Sequence, residues 1–544
     1  MPIGPGIAVP YRIGHACRPM SSLTAVEPAA EPTLGQPLPL RVGFAGARAV
    51  ALLGAGVNPV ELDPGRLGEL DAVVLELSGR ASPQHPELAR AAKAEGVPVI
   101  AVGGEGGEAA ALADIRLGPG AVPEPPVLGA PPVDIRSFNP TLFRRDRVGG
   151  YRAIAPARAP EEGIAAALPW LRDAAELEPV GLSLPDGTRA PELPPEIALA
   201  WTPTEEADWL EVLHRRLGVL DHPGLHASEW ERAGWIAKLC ASGVPVVCAE
   251  MGSELRALLG SELAELLEPV TPRDLADLDA RERISVAIRR VALRQHSVDA
   301  RWRQIARAAG IELPGRPMVS VIFATRREEW LEHGLAQVNR QSYEPRELVV
   351  SLHGDEFASG IEQRVRSLAQ GPLKIVHVDG ELTLGDALNA GVEVAEGELV
   401  TKMDDDDYYN TDHLWDLALA LEYSGADLVG KGAEFVYLAN VDLTIRRFMG
   451  DGESDHPRLA GGGMMARRKP LDAVGGWPSR TRGEDTWIVK NFKSAGRATY
   501  RTHGFGYILN RHFRDHTWNT YVDYFLLQSQ REWRGLRFDE SAID

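Results

Sequence analysis

Short apolar runs alternate with amphipathic stretches along most of the 544-residue chain. Apolar runs of this length, separated by helical periodicity, predict β-α-β units around a buried parallel sheet. The first set has apolar runs at 40–45, 70–77 and 97–103, with a helical stretch at 86–96. Residues 1–38 are instead rich in Pro, Gly and Ala and lack apolar periodicity, which predicts a disordered lead-in.

A second set of the same kind follows a Pro-rich stretch at 122–132. Here the pattern predicts strands at 197–201 and 244–249 and helices at 205–217 and 230–242. Because strands and helices again alternate, we expect a second parallel sheet with helices on both faces. The N-terminal region is therefore predicted to be two doubly wound, Rossmann-like halves.

Breaks in this pattern give the predicted domain boundaries. Residues 39–135 are the first Rossmann-like half, and residues 136–312 are the second, which ends in a long helix. That helix is predicted from the segment 272–310, which contains few helix breakers and is followed by Pro314 and Gly315. A further α/β pattern then begins at residue 317 and continues to residue 544. The predicted fold class is α/β throughout.

Four consecutive aspartates, Asp404 to Asp407, follow a buried strand predicted at 398–403. In open α/β sheets, ligands bind beyond the carboxyl ends of the strands. Neighbouring carboxylates raise one another's pKa values unless a cation neutralises them. Mg²⁺ and Mn²⁺ prefer oxygen ligands, and Mg²⁺ is commonly held by one or two carboxylates together with substrate phosphates. The run therefore predicts a site for a divalent metal and a nucleotide diphosphate.

The aspartate run has two other interpretations. An EF-hand calcium loop that began at Asp404 would need Gly at its sixth position and Glu at its twelfth, where this chain has Tyr409 and Trp415. The calcium loop is therefore rejected. A solvated acidic loop that caps a helix beginning near Thr411 stays open as the alternative without chemistry.

Further motifs surround the aspartate run in a fixed order. They are Val319-Ser-Val-Ile-Phe-Ala-Thr325, Gly385-Asp-Ala-Leu-Asn389-Ala-Gly391, Gly397-Glu-Leu-Val-Thr-Lys-Met-Asp404, Gly475-Gly-Trp-Pro and Gly483-Glu484-Asp485. In this order and spacing, residues 317–534 resemble the family 2 glycosyltransferases, whose nucleotide-sugar-binding domain has the GT-A fold. The resemblance implies a C-terminal GT-A domain over residues 317–544.

The family resemblance also implies a reaction and its participants. The reaction is an inverting transfer of a sugar from a nucleotide-diphosphate sugar to an acceptor hydroxyl, with Mg or Mn, in the synthesis of cell-surface polysaccharide or glycoconjugates. The acceptor is then a saccharide or a lipid-linked molecule. Asp406 is the implied metal ligand, and Asp404 and Asp405 contact the metal or the ribose. The other residues implied to bind the donor are Thr325, Arg326, Asp355 and Asn389.

The resemblance makes Asp485 the candidate general base, with Glu484 as the alternative. Such a transfer requires that the acceptor hydroxyl lose its proton to a positioned base. The structural alternative is that Asp485 caps a helix predicted at 486–494, because Asp is a common N-cap residue. Gly475-Gly-Trp-Pro and Gly483-Glu484, which precede Asp485, favour the catalytic role.

Downstream of the base, the segment 510–518 concentrates cations and aromatics in an otherwise acidic chain. A neutral imidazole is a common metal ligand, so either His512 or His516 is a candidate to complete the metal site. An arginine in the same segment is a candidate to hold the diphosphate. Gly461-Gly-Gly-Met464 resembles the family's flexible segment that faces donor and acceptor, and a simple turn explains it nearly as well.

The region before residue 313 resembles a divergent GT-B glycosyltransferase, chiefly in Glu229-Trp-Glu231 and in 241–247. That family usually has a glutamate on the helix before this turn, which holds the donor. Here Lys238 takes the position, and a lysine donates hydrogen bonds where an acceptor is required. We therefore expect a noncatalytic role in acceptor binding, membrane docking or assembly. A doubly wound domain of unrelated function is the alternative.

Composition narrows the partners and the location. A formal net charge of -19 argues against general nucleic-acid binding, because a phosphate backbone would be repelled. Three cysteines without zinc-site spacing fit a reducing compartment. No apolar stretch approaches the roughly 20 residues that span a bilayer, and no secretory signal pattern is present. The expected location is the cytoplasm, and a peripheral association with a membrane is compatible with these features.

Three other functions compete with a single active transferase. The first is a bifunctional enzyme with a second active GT-B domain, which Lys238 disfavours. The second is a catalytically inactive scaffold that binds nucleotide-sugars. The third is a sugar nucleotidyltransferase, which is disfavoured because no Gly-rich, Arg-containing loop follows the strand at 319–324. The sequence identifies neither the donor sugar nor the oligomeric state.

Overall fold

A computed structural model describes the chain from Leu38 to Ala542. Within that range it leaves out 46–48, 51–52, 55–56, 61, 63, 78–83, 103–107, 118–126, 129, 136, 143–148, 157–158, 186, 201, 203–211, 481–482 and 513–520. The expected disorder of residues 1–37, most of the helix predicted at 205–217, and His516 therefore lie outside the described residues. All described elements belong to the unit 33–544.

The first sheet is parallel throughout, with the strand order β2-β1-β3-β4-β5-β6. Val, Ile, Ala and Leu occupy all positions of the central strands β3 and β4 except Glu76, and they are buried on both faces as expected for a parallel sheet covered by helices. Its elements are β1 (Arg41–Ala45), β2 (Asn58–Val60), β3 (Ala72–Glu76), α1 (His85–Ala94), β4 (Val99–Val102), α2 (Glu108–Leu112), β5 (Ile115–Leu117) and β6 (Val127–Leu128).

The second sheet is also parallel, with the order β11-β10-β7-β8-β9. Its central strand β7 is fully buried. The elements are β7 (Tyr151–Ile154), α3 (Glu161–Ala175), β8 (Val180–Ser183), β9 (Ile197–Leu199), β10 (Gly218–Asp221), α4 (Glu229–Ala241), β11 (Val246–Cys248), α5 (Ser253–Leu259) and α6 (Ser261–Leu267). The prediction of an α/β chain with parallel sheets is thereby confirmed.

The helical segment predicted at 272–310 consists of two helices, α7 (Leu278–His296) and α8 (Val298–Ala309). The side chains of Asp277 and Ser297 cap them. Helix α8 packs on the first sheet, where the Trp302 indole N–H donates to the carbonyl of Leu53 at 2.9 Å. The chain thus returns to the first sheet before it enters the third.

The third sheet is mixed, with the order β14-β13-β12-β15-β20-β17-β21. Strand β20 is antiparallel to both of its neighbours, β15 and β17, whereas the other pairs are parallel. Its strands are β12 (Val319–Thr325), β13 (Arg346–His353), β14 (Leu373–Val378), β15 (Leu399–Lys402), β17 (Leu428–Gly430), β20 (Met464–Arg467) and β21 (Thr499–Arg501). The helices are α9 (Leu331–Asn339), α10 (Ile361–Leu368), α11 (Leu384–Val394), α12 (His413–Ser424), α13 (Arg468–Ala473) and α14 (Glu484–Ser494).

A fourth, five-stranded sheet lies beside the aspartate run, in the order β16-β22-β18-β19-β23. Its strands are β16 (Tyr408–Tyr409), β18 (Phe435–Leu438), β19 (Leu443–Arg447), β22 (Tyr507–Arg511) and β23 (Ser529–Arg534), with the short helices α15 (Val522–Leu526) and α16 (Phe538–Ser541). No helix in the described part of the chain is long and apolar enough to cross a membrane.

Candidate active site

One large cavity, of about 1210 Å³, lies at the carboxyl ends of β12 and β15. Strand β15 is buried at all four positions, and it leads directly into the aspartate run. All four aspartates line the cavity together with Asp485 and Glu484. The structure thus brings the aspartate run and the candidate base, which are about eighty residues apart in the chain, to one site.

Asp405 and Asp406 share one cationic neighbour, Arg327. The Arg327 guanidinium hydrogen-bonds both oxygens of Asp405 and lies 2.9 Å from Oδ2 of Asp406. The Thr325 hydroxyl also donates to Asp405, at 2.5 Å. Burial raises the pKa of Asp405, and the charge of Arg327 opposes the rise. The arginine therefore compensates the charge of both carboxylates.

Asp406 also contacts the candidate histidine. Nε2 of His512 lies 2.9 Å from Oδ2 of Asp406, and the imidazole ring stacks on Trp330 with the ring centroids 5.4 Å apart. Oxygen and imidazole nitrogen are both ligand types that divalent first-row metals accept. Within the described residues, however, no group of three or more His, Cys, Asp or Glu side chains has an arrangement that would hold a metal.

Asp407 is held by the fourth sheet. The Tyr507 hydroxyl donates to Oδ2 of Asp407 at 2.7 Å, and the backbone N–H of Asn510 donates to Oδ1 at 2.9 Å. Burial raises the pKa of Asp407 well above its usual value, and the charges of Asp406 and Asp404 add to the rise. These contacts give Asp407 a structural role in fixing the loop against β22.

Lys402 joins the aspartate run to the candidate base, and the sequence motifs did not identify it. Its ammonium lies 3.3 Å from Asp404, 3.3 Å from Asp485 and 3.6 Å from Glu484. Burial lowers the pKa of Lys402, but the three carboxylates outweigh burial and hold the pKa well above its usual range. The signal that could have identified Lys402 is its position in a four-residue strand that is buried throughout, because a buried charge needs a partner.

The pKa of Asp404 is also raised. Burial raises the pKa of Asp404 to about 7, Lys402 opposes the rise, and the carboxylates of Asp485, Asp406 and Asp405 add to it. The carboxylate part of this rise is the part that a cation bound beside Asp404 would offset.

Asp485 lies in the first turn of α14, but it is not the helix cap. The N-cap is Gly483, whose φ of 74° is in the left-handed region that favours glycine, and α14 begins at Glu484. Glu484 itself is buried, and burial raises its pKa. The carboxylate of Asp485 is thus available to face the cavity and Lys402.

The glycines at 461–463 form a tight turn against these carboxylates. A Cβ on Gly461 would overlap the carboxylate of Asp485. A Cβ on Gly462 would overlap the Tyr409 hydroxyl and crowd Asp404. Small size, besides turn geometry, therefore explains why glycine occupies these positions.

The remaining predicted donor residues have different surroundings. Arg326 lines the cavity and donates to the carbonyls of Gly380 and Leu382 at 2.6 and 3.0 Å. Asp355 is exposed and is not among the residues that line the cavity, whereas His353 at the end of β13 is.

Asn389, which was predicted to bind the sugar donor, instead makes structural hydrogen bonds with its side chain. Its side-chain amide donates to the backbone carbonyl of Trp477 and accepts from the backbone N–H of Trp477, both at 2.8 Å. The cavity lining also does not include Asn389. Both ends of the amide therefore hold the Gly475-Gly-Trp-Pro loop against α11.

Comparison with known proteins gives one sequence match. The profile of the family described as glycosyl transferase family 2 matches residues 320–475. No curated protein sequence shows significant similarity to the chain.

Solved structures give more distant similarities. The mannosyltransferase PcManGT from Pyrobaculum calidifontis, in complex with GDP-Man and Mn²⁺, is 19% identical over 37% of this chain and 58% of its own length, with a TM-score of 0.29. TarS 1–349 from S. aureus, in complex with UDP-GlcNAc, is 18% identical over 39% of this chain and 64% of its own length, with a TM-score of 0.30. These values support no conclusion about donor, metal or acceptor. The sequence match is specific, and residues 320–475 are a glycosyl transferase family 2 domain.

Proposed function

We propose that the cavity is the active site of an inverting glycosyltransferase that moves a sugar from a nucleotide-diphosphate sugar to an acceptor hydroxyl. The observation that carries the proposal is the placement of the candidate base Asp485 against the aspartate run, through Lys402, in a cavity of about 1210 Å³. Pockets of 300–1,000 Å³ accommodate ligands of drug-like size, so there is room for a nucleotide-sugar and part of an acceptor. The proposed fold of this domain is GT-A.

We propose that a divalent cation, Mg or Mn, binds with the diphosphate, and that its ligands must rearrange to hold it, because the described side chains do not form a metal-binding group as they stand. The residues that would hold it are Asp406 and Asp404, whose carboxylates line the cavity, and His512, whose imidazole nitrogen contacts Asp406. Burial is the main cause of the raised pKa of Asp404, and the neighbouring carboxylates add to it. A bound cation would stabilise the negative charge that develops on the leaving diphosphate.

The protein's own residues then account for the transfer. The acceptor oxygen forms a bond to the anomeric carbon on the face opposite the leaving group, and the bond from that carbon to the diphosphate oxygen breaks with its electron pair. The acceptor proton passes to the carboxylate of Asp485, which Lys402 holds at the cavity wall. Because one displacement occurs, the anomeric configuration inverts.

The wall around β12 and β13 is proposed to bind the nucleoside. Thr325, Arg326 and His353 line the cavity at the ends of these strands. Arg326 hydrogen-bonds the carbonyls of Gly380 and Leu382, which fixes this wall in place. Asp405 is held by Thr325 and Arg327, and we assign it to the ribose side of the donor.

The two N-terminal sheets are proposed to have a noncatalytic role, in acceptor binding, membrane docking or assembly. A Cβ on Gly163 of α3 would overlap the backbone of Gly224, so these segments touch directly near the carboxyl ends of β7 and β10. This contact lies at the place where, in sheets of this order, a ligand would bind in the crevice between the two strands. Lys238, at the position of a donor-binding glutamate, packs its ammonium over the ring of Phe138.

The experiment is a thermal-shift and hydrolysis screen of nucleotide-sugars, including GDP-mannose and UDP-N-acetylglucosamine, with and without Mn²⁺. We expect one donor to raise the melting temperature with Mn²⁺, because a ligand that binds only the native state stabilises it. Asp406→Asn should lose the Mn²⁺-dependent shift. Asp485→Asn should keep the shift and lose turnover.

Asp472→Asn is the matched control, since Asp472 is an exposed carboxylate paired with Arg468 outside the cavity lining. It should behave as wild type in both assays. Equal Mn²⁺-dependent shifts in wild type and Asp406→Asn would remove the metal role. A chain that neither binds nor hydrolyses any donor would be the inactive scaffold instead.

A further inference from the structure

Three buried arginines form part of the same cavity wall. Arg447 ends β19, Arg501 ends β21 and Arg511 ends β22, and each is at most 4% exposed. The reaction proposed above assigns no role to Arg447 or Arg501. We call these three residues the arginine wall. Buried arginines in a cavity wall occur where anions are recognised, because a guanidinium matches phosphate oxygens with several donors.

Packing fixes the orientation of the arginine wall. Arg447 donates to the carbonyl of Ala433 and to the side chain of Gln528, both at 2.9 Å. Its guanidinium also lies over the rings of Tyr524 and Phe525, and Arg511 lies over Phe525 as well. Orientation of this kind lowers the entropy cost of ligand binding.

Arg501 is fixed by close backbone contact. Its guanidinium lies directly against Gly432, where a Cβ would overlap it. Nη1 of Arg501 also lies 3.5 Å from Nδ1 of His456. The position of the charge is therefore set by the backbone at residue 432, which leaves the side chain little freedom to move away.

The three charges repel one another. Burial lowers the pKa of Arg447 to about 10, Tyr524 opposes this, and the charges of Arg501 and Arg511 lower the pKa further. A bound anion would relieve this repulsion, and Arg511 is the member nearest the aspartate run.

One segment that lines the cavity connects the surroundings of Arg501 with those of the proposed base. The segment 456–460 lines the cavity and runs from His456, beside Arg501, to Gly461, which abuts Asp485. The proposed base must face the acceptor hydroxyl. We assign Arg511, near Asp406, to the donor diphosphate, and Arg447 and Arg501, to which the proposed reaction gives no role, to a second anion.

We propose, on the basis of the proposed transferase function, that Arg447 and Arg501 bind a phosphate group carried by the acceptor. The acceptor class is then a phosphorylated polyol, sugar or lipid headgroup whose free hydroxyl reaches Asp485. The phosphate does not react. It positions the acceptor, and it restricts transfer to acceptors that carry the anion at a suitable distance from the hydroxyl.

The test uses the full chain saturated with a nucleoside diphosphate and Mn²⁺, so that the donor diphosphate site is filled. Titration with sn-glycerol 3-phosphate, followed by calorimetry, should show a second site occupied at the same time as the nucleotide. Arg501→Gln and Arg447→Gln should each weaken this binding about 10- to 100-fold, the effect of losing hydrogen bonds to a charged group. Arg534→Gln, an exposed arginine outside the cavity lining, is the matched control and should bind as wild type does.

A parallel arm replaces glycerol phosphate with phosphatidylglycerol vesicles, and vesicle binding that Arg501→Gln abolishes would assign the phosphate to a lipid. If glycerol phosphate and vesicles both fail to bind while the nucleotide binds, the acceptor proposal is overturned and the proposed transferase stands. Competition between glycerol phosphate and the nucleotide in wild type would also overturn it, by assigning the arginine wall to the donor. This competition measurement needs no variant, so it tests the acceptor proposal even if a substitution prevents folding.

Discussion

Nζ of Lys402 lies 3.3 Å from Oδ1 of Asp485, so the last residue of β15 contacts the proposed base at the start of α14. The same ammonium reaches Asp404 at 3.3 Å. Two segments that the chain separates by about eighty residues are thereby joined by one buried cation. Lys402 is a positioning residue in this arrangement, because it acts through the carboxylates on either side.

Replacing Lys402 by Met should reduce kcat for transfer about 100-fold, since a misplaced base loses much of the contribution of general base catalysis. KM for the donor should change less, because Lys402 contacts the base directly, whereas the nucleoside is proposed to bind at the ends of β12 and β13. Steady-state kinetics with varied donor would separate the two effects. Lys402→Arg, which keeps the charge, should recover part of kcat.

Lys493→Met is the control for this series. Lys493 lies on the same helix as Asp485, but its partner is the exposed Asp455. Its loss should leave kcat and KM near the wild-type values. A normal kcat in Lys402→Met would show that Asp485 needs no positioning by this lysine.

Gly461→Ala should abolish most transfer, with a loss of about 100-fold or more, because its Cβ would displace the carboxylate of Asp485. We expect only a small fall in the melting temperature, in contrast to the large loss of activity. Gly315→Ala is the matched control, since nothing lies within 4 Å of the Cβ that it would add. Equal activities of the two variants would exclude the close contact between Gly461 and the base.

Helix α7 should be necessary for the stability of the transferase domain. Arg289 pairs with Glu453 at 2.7 Å, and both side chains are about 6% exposed. Removing one partner of a buried ion pair costs about 3–5 kcal/mol, because the other charge is left buried without compensation. Arg289→Ala should therefore lower the free energy of unfolding by about this amount in urea denaturation.

Arg366→Ala provides the comparison for the buried pair. Arg366 pairs with Glu362 on the surface of α10, where both side chains are about half exposed. Exposed ion pairs contribute about 0–1 kcal/mol, so this variant should differ little from wild type. Similar losses in both variants would show that α7 does not stabilise the domain through Arg289.

Stability should fall as the pH is lowered from about 6.5 to about 4. Burial lowers the pKa of His296 to about 4, and the charge of Arg301 adds to the effect. A depressed histidine pKa means that the unfolded chain binds the proton first, so stability present above pH 6.5 is lost as the pH falls toward 4. At pH 5 the loss from this one residue is about 2 kcal/mol.

Urea denaturation at pH 7 and pH 5 measures the effect. His296→Gln should reduce the difference between the two pH values, although it also alters the hydrogen bond to the carbonyl of Leu259. His377→Gln, an exposed histidine beside Glu362, should keep the wild-type difference. An unchanged pH dependence in His296→Gln would contradict the prediction.

The local chemistry of the aspartate run was predictable because it depends on neighbours in the chain. A strand predicted at 398–403 is observed at Leu399–Lys402, and the aspartates follow it at the carboxyl edge of the sheet. Periodicity identifies a buried strand, and the topology of α/β sheets then places the site. The sequence motifs indicated Arg326, whereas Arg327 is the residue that contacts the aspartates. Adjacent residues after a strand point in different directions, and only packing decides which of them meets the aspartates.

The sequence by itself determined that the chain is α/β, that it contains a family 2 transferase domain, and that a carboxylate site follows β15. These features depend on order along the chain, because strand periodicity and motif spacing are local properties. Only the tertiary structure brought Lys402 and Gly461 to Asp485, and placed Arg447 and Arg501 in the wall of one cavity. Each of these contacts depends on how separate strands pair and how helices pack across them, which spacing along the chain does not specify.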